Sequence, residues 1–459
     1  MIDNASELID KDNTINTESA PLPPSFLEAL AFWLKLGLIS FGGPAGQIAI
    51  MHQELVEQRR WISERRFLHA LNYCMVLPGP EAQQLATYIG WLMHGTRGGI
   101  AAGVLFVLPS LLILIALSYV YLAFGHTNLI AGIFAGIKPA VTVIVVQAVF
   151  RIGGRALHNT SLWFIAFASF VAIFIFNLPF PLILFAAAVL GWCGSRFYPQ
   201  HFHVDAHASA KNKHYGKAVI DDDSPSPAHA RFTWQALSRV LLLGSVLWCV
   251  PMLTLYYALG WQHTYTQMAW FFSKAALLTF GGAYAVLPYV MQAAVQEFHW
   301  LNPRQMIDGL ALGETTPGPL IMVLAFVGFV AGYAQALLGI GHEWQAGALA
   351  ACLVTWFTFL PSFIFIFAGA PMIETTHRQV SLTAPLSAIT AAVVGVVLSL
   401  ALFFAWHVLF PEGWKVGMDF KALLIALLSA LALFHFKLKV MQVIALSAAM
   451  GLATQYLSF

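Results

Sequence analysis

Charged residues are scarce in this chain of 459 residues: they make up 10% of it, while 59% of the residues are hydrophobic. A soluble domain carries about 25% charged residues, so the composition excludes a soluble globular protein and indicates an integral membrane protein. Apolar stretches of roughly 15–25 residues recur along most of the chain, long enough to cross a hydrocarbon core as helices. The alternating pattern that membrane barrels require is absent. The predicted fold class is therefore an all-α polytopic membrane protein.

Cysteine is also rare, and its four positions (Cys74, Cys193, Cys249 and Cys352) are isolated from one another. This pattern builds neither a zinc site nor a disulfide framework, and the histidines of residues 201–229 lack a complementary ligand set. A nucleophile elbow, a phosphate loop and a dinucleotide fingerprint are all missing. We therefore expect no metal, no cofactor and no enzymatic activity. The net charge of +2 gives no reason to expect a nucleic-acid partner.

The first 24 residues are polar and acidic, without a basic segment or a cleavage site of small residues. A removable signal peptide has both features, so we expect none here. Residues 1–24 are predicted to form a polar tail that precedes the first apolar helix.

An internal duplication is the most informative feature of the sequence. Residues 35–80 recur without a gap as residues 274–319, with 13 identities in 46 positions. Both copies contain a lysine, then Phe-Gly-Gly, a tryptophan and Pro-Gly-Pro. Because the identities fall on these residues more than on apolar filler, composition bias does not explain them. In a membrane protein, such a repeat indicates a transporter whose site lies between the two copies.

The repeat divides the chain into two halves of about six helical segments each, joined by one further transmembrane helix, giving about 13 segments. The predicted regions are a polar tail (1–24), a first repeat (25–198), a polar flexible linker (199–235), a connecting helix (236–260) and a second repeat (261–459). Six crossings return the chain to its starting side, and the connecting helix starts the second half from the other side. The two repeats are therefore predicted to have inverted topology.

Basic residues, among them Arg151 and Arg155, concentrate in the loops predicted to be cytoplasmic. This distribution supports a cytoplasmic N-terminus and a periplasmic C-terminus, except in one loop. Residues 44–66 contain Arg59, Arg60, Arg65 and Arg66, yet a simple count of crossings places them outside. Positive loops lie on the cytoplasmic side. The conflict disappears if Phe-Gly-Gly and Pro-Gly-Pro are the tips of re-entrant hairpins, so that the loop between them stays cytoplasmic.

Helices broken by glycine and proline expose backbone groups, which hydrocarbon tolerates only where they line a protein-buried or wet cavity. A helix that restarts at such a break presents free N–H groups and a positive dipole end, which suit an anion. The alternative is that the glycines permit close packing and the prolines only kink the helices. The candidate binding residues at the breaks are Phe41, Gly42, Gly43, Pro78, Gly79, Pro80, Gln83, Gln84, Phe280, Gly281, Gly282, Thr315, Thr316, Pro317, Gly318 and Pro319.

Four charged residues complete the candidate site. Lys35 and Lys274 stand six positions before each Phe-Gly-Gly, and two symmetric lysines would suit a dianion. The alternative is that each lysine extends to the membrane surface. Glu314 and Glu81 are the candidates for proton coupling, although Glu81 could simply stabilise the start of a helix.

These motifs resemble the chromate ion transporter family in its long, two-domain form. The resemblance runs from about residue 26 to the end and is strongest at 40–110, which includes Ser-Phe-Gly-Gly-Pro and Pro-Gly-Pro-Glu-Ala-Gln-Gln, and at 279–333. It implies a bacterial inner-membrane protein that expels chromate and confers chromate resistance, with two similar domains of opposite orientation.

Several alternatives stay open at this point. A sulfate or other oxyanion permease fits the same residues, because sulfate has the charge and nearly the shape of chromate. An anion channel also fits. A proton or sulfate could be the coupled ion, membrane lipid is the other expected partner, and the sequence indicates no oligomeric state.

The hairpin hypothesis predicts that residues 59–66 lie in the cytoplasm. A single cysteine introduced at Arg65 should react with a membrane-impermeant thiol reagent in inside-out vesicles but not in intact cells. Labelling of this position from outside would contradict the hypothesis.

Overall fold

The computed structural model describes residues 20–197, 215–225, 227–376 and 383–456, and it confirms the all-helical prediction. The described residues form sixteen α-helices. These are α1 (Phe26–Ile39), α2 (Gly43–His52), α3 (Glu64–Val76), α4 (Glu81–Phe124), α5 (Asn128–Ala156), α6 (Thr160–Phe174), α7 (Phe180–Phe197), α8 (Trp234–Leu259), α9 (Thr264–Leu278), α10 (Ala283–Met291), α11 (Pro303–Thr315), α12 (Val323–Ala334), α13 (Glu343–Thr376), α14 (Thr383–Leu409), α15 (Phe420–Ala430) and α16 (Val440–Tyr456).

Within the described residues, six helices are long and apolar enough to cross a membrane: α4, α5, α7, α8, α13 and α14. Shorter apolar helices make up the rest of the bundle. Sixteen helices stand where about 13 segments were expected, because the predicted breaks at Phe-Gly-Gly and Pro-Gly-Pro separate elements that hydropathy alone merges. In the other direction, α4 joins two expected segments across a break at His94 and Gly95.

The helices that flank the breaks begin at specific capping residues. Ser63 accepts a hydrogen bond from the backbone N–H of Arg66 at the start of α3. Asn302 and Gln305 form a reciprocal capping box at the equivalent start of α11. At the breaks themselves, Gly42 precedes α2 with φ +90°, a conformation that glycine adopts without strain.

Equivalent positions in the two halves have the same local structure. A π-helical turn follows α2 at Gln53–Gln58 and follows α10 at Gln292–Glu297. Two non-glycine residues with positive φ, Arg60 (52°) and His299 (53°), come after these turns at the same spacing. The duplication seen in the sequence is therefore also a duplication of backbone geometry.

Helices α1 and α2 fold back on each other as a hairpin whose tip is Phe-Gly-Gly. The start of α1 lies beside the end of α2, since Glu28 pairs with Arg59 at 3.4 Å and the Phe32 and Trp61 ring centroids are 5.1 Å apart. The second repeat has the same arrangement, with 5.7 Å between the centroids of Phe271 and Trp300.

Helix α3 and the first part of α4 form a second hairpin around Pro-Gly-Pro. Tyr73, which precedes this tip, and Tyr88, which follows it, have ring centroids 6.1 Å apart. The Nε2 atom of His94, at the break in α4, lies 3.1 Å from the carbonyl oxygen of Pro24, which precedes α1. Both hairpins of the first repeat therefore open at one end of the bundle, which we call the Arg66 end.

The hairpins of the second repeat open at the opposite end, which we call the Arg304 end. The second part of α4 leads from the Arg66 end to Tyr121, whose hydroxyl donates to Asp308 near the start of α11 (2.8 Å). Arg304 in turn donates to the carbonyl oxygen of Pro411, after α14 (2.5 Å). This geometry agrees with the predicted inversion of the repeats. The membrane side of each end stays a prediction.

Long helices of the two repeats are interleaved rather than packed as separate bodies. A Cβ atom on Gly136 of α5 would lie 1.9 Å from the carbonyl oxygen of Ser447 in α16. A Cβ atom on Gly395 of α14 would lie equally close, at 1.9 Å, to the carbonyl oxygen of Ala166 in α6. Because glycine alone permits these approaches, each repeat packs a long helix against a short helix of the other.

Part of the predicted linker packs against the Arg66 end. Ile220 pairs with Ile62 in an isolated β-bridge, and Ser63 donates to Asp222 (2.5 Å). Arg66 donates to the carbonyl oxygen of Ser224. Residues 198–214, with four of the linker histidines, and residue 226 lie outside the described residues, as do residues 1–19 of the predicted tail.

The two Pro-Gly-Pro tips cross to the opposite repeat. Gly79 donates its N–H to the carbonyl oxygen of Thr279 (2.7 Å), and Gly318 donates its N–H to that of Ser40 (2.8 Å). These are equivalent bonds, because both pairs are related by the repeat spacing. Each Pro-Gly-Pro tip is thus hydrogen-bonded to the residue before the Phe-Gly-Gly tip of the other half.

This crossing predicts a large effect of adding one methyl group at either glycine. Gly79 has φ +127° and Gly318 has φ +101°, and a Cβ atom would lie 2.5 Å from Ser362 Oγ and 2.7 Å from Ser110 Cβ, respectively. Backbone strain of this kind costs about 1–3 kcal/mol before the clash is counted. We expect Gly79→Ala and Gly318→Ala to lower the thermal unfolding temperature in detergent.

Gly154→Ala is the matched control, since this helical glycine has open space around its Cβ position. Its unfolding temperature should be no lower than that of the wild type, because a helix tolerates alanine at least as well as glycine. Unfolding temperatures of the Gly79→Ala and Gly318→Ala proteins equal to that of the control would contradict the crossing.

Candidate anion site

A cavity of about 580 Å³ lies between the hairpins of both repeats and α5. The lining begins at the Phe-Gly-Gly tip of the second repeat and extends to His158, in the turn after α5. Helix α5 comes from the Arg304 end, where its Lys138 pairs with Asp308, so its C-terminal end lies toward the Arg66 end. The cavity, lined by Arg155 and His158, therefore opens at the Arg66 end. Its polar and tip residues are Pro44, Ala45, Glu81, Arg151, Arg155, His158, Phe280, Gly281, Gly282, Tyr284, Ser387 and Thr390.

Two helix N-termini meet at the inner end of this cavity. Helix α2 begins at Gly43 with Pro44 in its first turn, and α10 begins at Ala283 after Gly282. The two starts are in contact, since a Cβ atom on Gly282 would lie 3.9 Å from Cγ of Pro44. The first N–H groups of a helix have no partners within it, and its dipole is positive at this end. The inner end of the cavity is therefore suited to an anion.

Two arginines of α5 add positive charge to the same cavity. Arg151 and Arg155 are four residues apart, so they project from one face of the helix. The guanidinium carbon of Arg151 is 5.8 Å from the centroid of the Tyr284 ring. Guanidinium groups bind oxyanions through paired N–H donors. With one carboxylate among the described lining residues, the cavity carries an excess of positive charge.

That carboxylate, Glu81, stands at the first position of α4 and is attracted electrostatically by Arg155. A second carboxylate, Glu314, lies one layer deeper: it is 7% exposed and accepts a hydrogen bond from the hydroxyl of Tyr284. Arg151 interacts electrostatically with both Tyr284 and Glu314. The cavity cations are therefore connected to both carboxylates that the sequence analysis singled out.

The structure brings some of the predicted site residues together here. The cavity lining includes the second Phe-Gly-Gly tip, which is Phe280, Gly281 and Gly282. It also includes Glu81. Phe41, Gly42 and Gly43 do not line it, although the next residue, Pro44, does.

The two lysines do not line the cavity. The Lys35 side chain is 55% exposed and pairs with Glu54 at 3.5 Å, on the hairpin of α1 and α2. The ammonium nitrogen of Lys274 is 5.9 Å from the centroid of the Trp270 ring on the exposed side of α9. Both lysines therefore lie outside the cavity in this conformation, and their role in anion binding stays a prediction.

The remaining predicted residues form the buried junction between the tips. The lining of the cavity excludes Pro78, Gly79, Pro80 and the equivalent residues Pro317, Gly318 and Pro319. The amide of Gln84 donates to the carbonyl oxygen of Pro78 (2.8 Å), and that of Gln83 donates to Thr87 (3.0 Å). Thr315 and Thr316 donate to carbonyl oxygens of their own helix, those of Leu312 and Gly313. In this conformation these side chains bind groups of their own hairpins and not the cavity.

Sequence reasoning missed Arg151 and Arg155 as site residues and counted them only as cytoplasmic loop charges. Their spacing of four residues at the end of an apolar span was an available signal, because it places both on one helical face. The sequence did not reveal that this face points toward the tip of the other repeat.

Comparison with known proteins identifies the family. The model of the family described as "Chromate transporter" matches residues 27–192 and 266–452, which is more than half of the chain. No solved structure matches the chain significantly.

Curated relatives match over most of this length. The chain is 33% identical to a chromate transport protein of Pseudomonas aeruginosa over 84% of this chain and 83% of that protein. It is 28% identical to a chromate transport protein of Cupriavidus metallidurans over 89% of this chain and 88% of that protein. A shorter relative, the uncharacterized transporter YwrB of Bacillus subtilis, is 27% identical over 33% of this chain and 76% of its own length. The chain belongs to the chromate transporter family.

Proposed function

We propose that this protein is a secondary transporter that exports chromate across the bacterial inner membrane and so confers chromate resistance. The names of the full-length relatives support chromate as the cargo. The single observation that carries the mechanism is the basic cavity, in which the starts of α2 and α10 meet beside two arginines.

The bound dianion lies at the inner end of the cavity. Its oxygens accept hydrogen bonds from the first N–H groups of α2 and α10, while Arg151 and Arg155 neutralise its charge. Each hydrogen bond to a charged group contributes about 1.5–3 kcal/mol. Two arginines and two helix ends therefore suit an anion of charge two better than a monovalent anion.

Transport proceeds by alternating access between inverted repeats. The cavity opens at the Arg66 end, which the positive-inside rule assigns to the cytoplasm. The conformation described above is thus inward-facing and loads chromate from the cytoplasm. If the hairpins of the first repeat closed and those of the second repeat opened, the Arg304 end would be open to the periplasm, where the anion leaves.

A sulfate or other oxyanion permease is the second candidate function. Arginine side chains and backbone N–H groups recognise charge and oxygen atoms, which sulfate and chromate share. An anion channel would use the same groups, but a channel gives currents without saturable exchange.

Coupling is proposed to involve Glu81, Glu314 and a proton. For export, the proton moves opposite to the anion: after chromate leaves, Glu81 or Glu314 takes up a proton from the periplasmic side and releases it to the cytoplasm. Exchange against sulfate is the alternative.

The proposed site predicts the effect of removing one guanidinium. Arg151→Gln and Arg155→Gln should each weaken chromate binding about tenfold or more, because a lost charge-assisted hydrogen bond of about 1.5–3 kcal/mol has this effect. Chromate uptake into inside-out vesicles measures this as a higher half-saturation concentration. Resistance of a chromate-sensitive bacterium that expresses each variant should fall in parallel.

Arg196→Gln is the matched control, since this exposed arginine ends α7 outside the cavity. It should leave the half-saturation concentration unchanged. Wild-type values in both cavity variants would show that the anion binds elsewhere.

Energy coupling has a separate test in the same vesicles. In vesicles with an acidic interior, where protons flow out in exchange for chromate, wild-type protein should accumulate chromate, and Glu81→Gln should lose this accumulation while it retains exchange of chromate for chromate. If a sulfate gradient drives uptake and a proton gradient does not, sulfate exchange replaces proton coupling.

A further inference from the structure

The repeat relates the open cavity to a closed region at the Arg304 end. Ile48, which lines the cavity, corresponds to Leu287, which is completely buried. Met75 lines the cavity and is 53% exposed, whereas its counterpart Glu314 is 7% exposed. Equivalent surfaces of the same hairpins are therefore open in one repeat and closed in the other.

An aromatic cluster and an ion pair close the Arg304 end. The Tyr121 ring packs against Phe134 and Phe326, with centroid distances of 5.0 and 5.5 Å. Lys138 of α5 pairs with Asp308 of α11 at 3.3 Å, and Tyr121 donates its hydroxyl to the same carboxylate at 2.8 Å. Both donors belong to the first repeat and the carboxylate to the second, so the contact joins the two halves.

This ion pair occupies an unfavourable environment for two charges. The Asp308 side chain is 3% exposed and that of Lys138 is 26% exposed. A charged side chain within a membrane span is costly, and such residues line ion or substrate pathways or pair with one another. Separation of this pair would leave a buried carboxylate without its cation. The pair therefore stabilises the closed conformation of the Arg304 end.

The counterpart of Lys138 shows where its side chain would lie after opening. With the alignment of Leu108-Pro109-Ser110 on Leu360-Pro361-Ser362, Lys138 corresponds to Thr390, which lines the open cavity. His407 corresponds in the same way to Arg155. An outward-open cavity built by exchange of the repeats would therefore contain Lys138 and His407 at its wall.

We propose that Lys138 binds the anion in the outward-facing state. While the Arg304 end is closed, Asp308, held by Tyr121, pairs with Lys138 as its counter-ion. This proposal rests on alternating access as proposed above. The dianion and Asp308 compete for one ammonium group. When the outer cavity opens, Lys138 leaves Asp308 and contacts the anion, and when Asp308 returns it displaces the anion.

Closure is tested by thiol labelling without chromate. In a parent protein whose four native cysteines are replaced by serine, Leu287→Cys should be protected from an impermeant reagent applied at the periplasmic side. The added change Asp308→Asn should raise this labelling rate at least tenfold, and Tyr121→Phe should raise it by a smaller factor. Ile48→Cys, labelled from the cytoplasmic side of inside-out vesicles, shows that each variant is folded.

Glu412→Gln is the matched control, because it removes an exposed carboxylate from the same end of the protein. It should leave labelling of Leu287→Cys unchanged. Equal rates in the parent, Asp308→Asn and Tyr121→Phe proteins would overturn the closing role of the pair.

The binding role of Lys138 has a separate readout. The exchanged pair Lys138→Asp with Asp308→Lys should restore protection of Leu287→Cys, because opposite charges again face each other. It should still fail to transport chromate, because aspartate at 138 repels the dianion. Wild-type transport by this double variant would overturn the anion-binding role. Labelling uses no chromate, so closure can hold even if wild-type protein transports a different anion.

Discussion

Two backbone hydrogen bonds between the repeats determine the centre of this protein. The N–H groups of Gly79 and Gly318 bind the carbonyl oxygens of Thr279 and Ser40. Broken helices expose backbone groups that hydrocarbon does not satisfy, so each break needs a partner within the protein. The partner comes from the opposite repeat in both cases. The repeats therefore satisfy each other's breaks, and neither tip is complete alone.

The crossing also bears on the proposed anion site. The crossing glycines bind the carbonyl groups that precede each Phe-Gly-Gly tip, and the helices α2 and α10 restart directly after these tips. The contact of Pro44 and Gly282 brings these two positive ends together. Arg151 and Arg155 then reach the same space from α5. The same arrangement thus satisfies the backbone groups at the breaks and places the groups that we propose to bind the anion.

Much of the fold was predictable from sequence, because glycine and proline act locally. The tips at Phe-Gly-Gly and Pro-Gly-Pro, the hairpins around them and the equivalence of the two halves follow from short motifs and their spacing. Side-chain direction was not predictable to the same degree. Lys35 was expected at the site, but α1 turns this lysine toward Glu54 on its own hairpin. Arg151 and Arg155 were read as loop charges, because only the interleaving of α5 with the second repeat directs them to the Phe-Gly-Gly tip. Such long-range packing has no signature in a single sequence.

The location of the anion is the central claim of this account. Chromium scatters X-rays anomalously, so crystals grown with chromate would show the bound anion as a single anomalous peak. We expect that peak inside the cavity, within hydrogen-bonding reach of Arg151 or Arg155 and of the first N–H groups of α2 and α10. A peak beside Lys35 or Lys274, with the cavity unoccupied, would contradict the account.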